Sequence, residues 1–414
     1  MNPIFILFNL FALIYIFRGV QIVWQIVRQW GLLLQEPLTR AKKWLGDQAA
    51  FFVAVPPSVA LHELFHALAT WLVGGQIVDF GYGGFWGYVV PVGDFTPAQN
   101  WLIAIAGTWA NLLFGAGLWL ALRHHRASSF RYFGLRAFRF QLYFALVYYP
   151  VFTFFIPTIS DWRIIYDFSA TPLLSTVTAV LHITTLYLFY RADRAGWFEM
   201  AGFETVNEQA AFDTVAQQAA QNLQDRALAM QLIDGLRCGG AEHKATTELQ
   251  QYLQSHPEDG DATVLLAALQ AGKNNHVSTQ SKANAEKALR LGIKNPRQEA
   301  VAYRLLGEYA LERNQYQEAV NQFSQALMAL GRNAQQVDQA GLAAYLYHLR
   351  SLAYRRQGLY DQAYQDMTQA VRLSQQMEHE GQTAVYRQEL DIIQQQAGRP
   401  LGSSYNPYAD EDVV

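Results

Sequence analysis

A helix needs about 20 mostly apolar residues to cross the hydrocarbon core of a bilayer. Five stretches in the first 190 residues meet that length or nearly so. Residues 3–27 are interrupted only by Arg18, and residues 49–73 hold a single ionisable cluster, His62, Glu63 and His66. Residues 101–122 carry no charge, 140–157 are charge-free and aromatic, and 172–190 hold only His182. One such run could be the buried helix of a large soluble enzyme, but five in so short a span predict a polytopic helical membrane domain. The first run has no Lys or Arg before it and no small-x-small site after it, so it reads as an anchor rather than a cleaved leader.

The remainder belongs to a different solvent. All 10 Trp and 22 of the 25 Phe lie within residues 1–200, and from about Asn207 the chain becomes rich in Ala, Gln, Leu and Glu. That composition fits stacked helices. Leu306, Gly307 and Ala310, followed by Tyr316, Ala319, Phe323 and Ala326, place small residues where two antiparallel helices would approach and larger ones in the gaps. This spacing resembles a tetratricopeptide repeat, and Ser351, Tyr354, Tyr360, Ala363, Met367 and Ala370 form a second copy. The copies stand 44 residues apart, so a longer linker is expected around 330–340. A degraded unit is expected to end at Ala288, Leu289 and Pro296, and a further helix pair to lie between Ala210 and Pro257. The predicted architecture is therefore all-α: a membrane domain of about five spans with a small Gly-rich hairpin (1–200), a helical-repeat solenoid (201–398) and a disordered tail (399–414). Such arrays bind peptide or protein partners; a self-contained helical cap is the alternative.

Net charge of −3 excludes a nucleic-acid binder working by bulk electrostatics. The lone Cys238 excludes a disulfide framework and a multi-cysteine metal cluster. Arg28, Arg40, Lys42 and Lys43 follow the first span, and Arg123, Arg126, Arg131, Arg136 and Arg139 lie between the third and fourth, whereas residues 74–100 have no basic residue. By the positive-inside rule both basic loops face the cytoplasm, and so does the C-terminal half of a multi-pass protein of a bacterial cell membrane. Gly81, Gly83, Gly84 and Gly87 with the apolar run 88–92 predict a hairpin tucked into the bilayer, which is tolerated only against protein or a wet cavity.

The chemistry centres on His62-Glu63-Leu64-Phe65-His66. Two His four residues apart project from one helix face and can share one ion. Neutral imidazole suits Zn2+, and Glu63 is placed to take a proton from a water acidified by that ion. A charged side chain at mid-membrane costs ~2.5–3.5 kcal/mol on insertion scales, so such a cluster argues for function over mere helix packing. A third ligand has to come from another segment. Asp161, the only carboxylate between Asp94 and Asp167, leads on ligand type and depth; Asp167 and His182 are the other candidates. Pro56 and Pro57 are read equally as a kink that opens a polar path or as an ordinary helix start.

The region 49–190 resembles the site-2 proteases, zinc intramembrane metalloproteases of the peptidase M50 type, in a divergent bacterial branch. The resemblance rests on His62-Glu63-x-x-His66, on Ala106-Gly107-Thr108-Trp109-Ala110-Asn111, similar to that family's A-G-P-x-x-N, and on Asp161, matching its D-G motif. It implies zinc held by His62, His66 and Asp161, Glu63 as catalytic acid and base, Asn111 near the site holding substrate backbone, and a hairpin whose edge presents an extended substrate. Phe65, Thr108 and Trp162 depart from the family's pattern without removing a ligand or the base. The expected function is hydrolysis of peptide bonds in membrane-spanning proteins, with the repeats binding a substrate or regulator. The competing reading is a catalytically inactive, membrane-anchored adaptor. A di-iron site, for which Glu63-x-x-His66 could be half, lacks a second E-x-x-H in any apolar stretch.

Overall fold

The computed structural model describes residues 3–155, 161–222, 225–271, 276–331 and 337–398. The tail 399–414, residues 332–336 of the linker around 330–340 and residues 156–160 leading into Asp161 lie outside them. Among the described residues, four helices are long and apolar enough to cross a membrane: Leu10–Arg28, Arg40–Leu72, Pro97–Leu122 and Pro172–Arg194. The chain divides into two compact units, Met1–Thr247 and Glu248–Val414.

The first unit begins with α1 (Pro3–Arg28), a short α2 (Trp30–Leu33), α3 (Arg40–Phe52) and α4 (Val55–Leu72). Pro56 and Pro57 occupy the first turn of α4, so they start this helix rather than kink it. Strands β1 (Gln76–Tyr82) and β2 (Gly87–Val92) form an antiparallel hairpin, with an irregularity between Ile77 and Asp79. Seven strand residues cover ~23 Å, nearly the length of α4, and the hairpin runs back along that helix. Tyr82 Oη donates to the Pro56 carbonyl (2.8 Å), and Phe85 at the tip packs with Tyr15, Val55 and Val59.

α5 (Pro97–Leu122) opens on a capping box, Thr96 with Gln99, and runs uninterrupted. The fourth apolar stretch is bounded differently from its sequence reading. Helix begins at Ser128 and continues as α6 (Ser128–Tyr143), a π turn (Phe144–Tyr148) and α7 (Tyr149–Phe155). The arginines that mark 123–139 as a loop are accommodated on α6 because acidic partners neutralise them: Arg136 with Asp47 (2.5 Å), Arg139 with Asp193 (2.6 Å) and Arg131 with Glu36 (3.7 Å). A short α8 (Asp161–Ile165) precedes α9 (Pro172–Arg194). α1 and α9 expose apolar side chains on most sides, Leu13, Phe17 and Val27 on one and Leu173, Ile183 and Leu188 on the other. Exposed apolar faces of this extent, with their length, make both helices candidates to cross a membrane.

Three helices occupy the region where one pair is expected: α10 (Val206–Gln221), α11 (Arg226–Cys238) and α12 (Glu242–Ser255). The end of α11 is fastened to α3, where Lys43 Nζ donates to the carbonyls of Met200 (2.8 Å) and Gly239 (2.9 Å).

The second unit is a tetratricopeptide-like stack of antiparallel helices: α13 (Gly260–Ala271) with α14 (Thr279–Leu291), α15 (Pro296–Glu312) with α16 (Tyr316–Leu330), α17 (Val337–Arg356) with α18 (Tyr360–Gln376), and α19 (Glu380–Gln396). Gly307 lets α16 approach closely, since a Cβ there would stand 2.4 Å from the Phe323 ring. Ala310, Ala319, Phe323 and Ala326 are buried, as are Ser351, Ala363, Met367 and Ala370 of the second copy. Ser351 Oγ donates to the Ala363 carbonyl (2.6 Å) and locks α17 to α18.

Candidate metal centre

At 3.6 residues per turn, a spacing of four sets His62 and His66 on the same face of α4, and both rings are buried against α5. α5 makes room for them at Gly107, where a Cβ would lie 2.4 Å from His66 Nε2 and 2.7 Å from His62 Nε2. The two Nε2 atoms are 2.9 Å apart. Asp161, the first residue of α8, brings Oδ2 to 3.1 Å from His66 Nε2 and 3.4 Å from His62 Nε2. Among the described residues, these three form the group whose ligand atoms can converge on one ion. Neither Asp167 nor His182 joins them. Asp167 turns its carboxylate onto the amides of Ser169 and Ala170, both at 3.0 Å. His182 lies between Tyr166 Oη and the Leu146 carbonyl, the latter 2.7 Å from Nε2.

The donor set fits a zinc-like ion. Bonds of ~2.0–2.1 Å in tetrahedral geometry hold ligand atoms ~3.3 Å apart, and the three separations here run from 2.9 to 3.4 Å. Tautomers agree as well. His66 Nδ1 faces the Ile103 carbonyl at 2.6 Å, and a carbonyl only accepts, so Nδ1 carries the proton and Nε2 keeps its lone pair. Two imidazoles and one carboxylate leave a fourth position for water or substrate.

Glu63 is buried on the same turn of α4. The hairpin covers it at Gly87, where a Cβ would stand 2.6 Å from Glu63 Cγ, so only glycine lets β2 come this near. Trp162, in the place of a family glycine, has its own physical account. Its indole is 1% exposed, packs with Ala104, Ile105 and Ile165 and contacts the His182 ring, which pins α8 and with it Asp161.

Four further residues belong to this site: Tyr149, Ser58 and Gln141, which carry no sequence signal that would single them out, and Gly107, which lies in the stretch 106–111 that carries the resemblance. Tyr149, directly after the π turn, donates its hydroxyl to Asp161 Oδ2 (2.5 Å) and sets its ring edge-on to His62. Asn111, which the resemblance assigns to substrate, has its amide engaged inside the protein: Nδ2 lies 3.1 Å from His62 Nδ1, and Oδ1 lies 2.9 Å from Ser58 Oγ. Ser58 Oγ also stands 2.8 Å from Gln141 Oε1. Ser58 and Gln141 complete the set with Gly107, whose lack of a Cβ admits both rings.

No family model matches the chain, and no curated protein matches it. Two solved structures of MamA are similar to part of it. One, at 16% identity, covers 40% of this chain and 95% of MamA with a TM-score of 0.27. The other, also at 16% identity, covers 44% and 97% with a TM-score of 0.28.

Proposed function

We propose that this protein is an intramembrane zinc endopeptidase of the site-2 protease kind, acting on membrane-spanning proteins. The observation that carries the reading is the convergence of His62, His66 and Asp161 beside Glu63 on a helix of membrane-spanning length and apolarity. In this reading His62 and His66 hold the ion through Nε2 and Asp161 through Oδ2. The zinc ion, when bound, supplies an electrophile that makes water nucleophilic near neutral pH. Glu63 would accept a proton from the water as its oxygen bonds to the peptide carbonyl carbon, and would deliver one to the amine nitrogen as the C–N bond breaks. The hairpin alongside α4 offers a strand edge on which an unwound stretch of substrate pairs, since a peptide bond inside a helix is shielded by its own hydrogen bonds. The helical repeats select a substrate or regulator by binding peptide or protein, and they stand on the cytoplasmic side of a bacterial cell membrane.

The test is metal content and cleavage measured on the same variants. Glu63→Gln is expected to keep one zinc per chain and to stop cleavage of a single-span substrate, while His62→Ala loses the metal. Proteomes of wild-type and Glu63→Gln cells then identify the substrate as a single-span protein that accumulates in the variant. Full cleavage by Glu63→Gln would defeat the assignment and leave the adaptor reading.

A further inference from the structure

We propose that Gln141, Ser58 and Asn111 form a hydrogen-bond chain that selects the tautomer of His62 and so turns its Nε2 lone pair toward the ion. The inference rests on the metal site proposed above. It makes Asn111 a positioning residue for a ligand rather than a contact for substrate.

The three residues come from three helices, α6, α4 and α5, and are 1%, 2% and 0% exposed. Their polar atoms connect in series to His62 Nδ1 through contacts of 2.8, 2.9 and 3.1 Å. Glycine makes the approach possible, because a Cβ at Gly115 of α5 would meet Gln141 Cβ at 2.8 Å. Burial this complete makes every proton count, since an unmatched polar atom costs ~1–3 kcal/mol.

Proton counting leaves two directions for the chain. Ser58 has one hydroxyl proton and cannot donate to both amide oxygens that face it. The two ends of an amide have the same shape, so one amide must be turned. With Asn111 turned, His62 Nδ1–H donates to Asn111 Oδ1, Asn111 Nδ2–H to Ser58 Oγ, and Ser58 Oγ–H to Gln141 Oε1. His62 then carries its proton on Nδ1 and presents a bare Nε2. With Gln141 turned instead, Gln141 donates to Ser58, Ser58 to Asn111 and Asn111 to His62 Nδ1, which puts the His62 proton on Nε2. That arrangement suits the ion-free cluster, where Nε2–H can donate to His66 Nε2. Only the first direction leaves Nε2 free for a metal; reaching it from the second takes a turn of both amides, a rotation of the Ser58 hydroxyl and relocation of the His62 proton from Nε2 to Nδ1, with no net change in proton number.

The experiment is a chelator-competition titration of zinc on the full-length protein in detergent, with cobalt(II) absorption as a second readout. Asn111→Leu is expected to weaken zinc binding by about tenfold or more. Asn111→Asp is expected to restore it, because a carboxylate only accepts and enforces the Nδ1–H tautomer. Ser58→Ala, which deletes one hydroxyl and leaves the fold intact, is expected to fall between wild type and Asn111→Leu. Wild-type affinity in Asn111→Leu and Ser58→Ala would overturn the inference and leave the metal site standing. A wild-type chain that binds no metal would overturn both. A substrate-binding role alone for Asn111 would raise KM and leave both metal readouts unmoved.

Discussion

Three groups meet at Asp161 Oδ2: His62 and His66 from α4 and the Tyr149 hydroxyl from α7. The hydroxyl donates and therefore competes for none of the metal-binding lone pairs on the imidazoles. In Tyr149→Phe the carboxylate loses its orienting donor, and zinc affinity is expected to fall about tenfold with secondary structure unchanged, as read by chelator competition and circular dichroism. Affinity equal to wild type would show that Trp162 alone holds α8 in place. Gly107→Ala is expected to act more severely, because its methyl lies 2.4 Å from His66 Nε2. The gain in helix propensity, ~0.5–1 kcal/mol, does not offset an overpacking cost of ~1–3 kcal/mol. Metal stoichiometry should drop below one per chain together with the melting temperature; a fully metallated Gly107→Ala protein would mean that the rings have slack to yield. The His pair and Glu63 are legible in the sequence because a single helical turn fixes their spacing. Tyr149, Ser58 and Gln141 are not, since each reaches the site through the packing of separate helices.

Single elements show where sequence periodicity holds and where it fails. The small residues of α15–α18 announce close helix contacts, and the structure buries them. The extent of α6 is masked by its arginines, which end the apolar run and so read as a loop, although arginine favours helix; in the structure they pair with Asp47 of α3 and Asp193 of α9. The π turn after α6 is equally silent in sequence; it shifts the helical register just before Tyr149. Within the repeats, Arg350 binds Asp366 through two nitrogens (2.7 and 2.8 Å) and donates to Ser324 (2.9 Å). Burial pushes the Asp366 carboxyl above its ordinary value of 3.8, and Arg350 opposes that rise. Breaking such a pair strands a buried charge, so Arg350→Met is expected to cost ~3–5 kcal/mol in a denaturant titration of the full chain. A raised folded-state pKa gives stability that is complete below 3.8 and is lost as pH rises through the folded value. Without Arg350 that loss extends to higher pH, so the variant should regain stability on acidification from neutrality. A deficit that stays constant down to pH 4 would contradict a stranded carboxylate.

At the largest scale, α3, α6 and the end of α9 are tied together through Asp47–Arg136 and Arg139–Asp193, and Glu36, just before α3, pairs with Arg131 near the start of α6. Both basic segments thus lie together, at the end of the first unit that the proposed topology assigns to the cytoplasm. Cys238, the lone cysteine and exposed, lies at this end, its carbonyl 3.5 Å from Arg40 Nη2. A membrane-impermeant maleimide is expected to label it in inverted vesicles and to spare it in intact spheroplasts; the opposite pattern would reverse the topology. Local composition and spacing are enough to mark the apolar stretches as candidate spans, to put two imidazoles and a carboxylate about one turn of an apolar helix, and to announce the helical repeats that follow. The packing of distant helices settles that Asp161 rather than His182 meets the histidines, that Asn111 faces His62, and that Tyr149 donates to the Asp161 carboxylate. Those pairings join residues 12 to 99 positions apart, and nothing in the spacing along a chain encodes which distant side chains the packing of helices will bring within a hydrogen bond's reach.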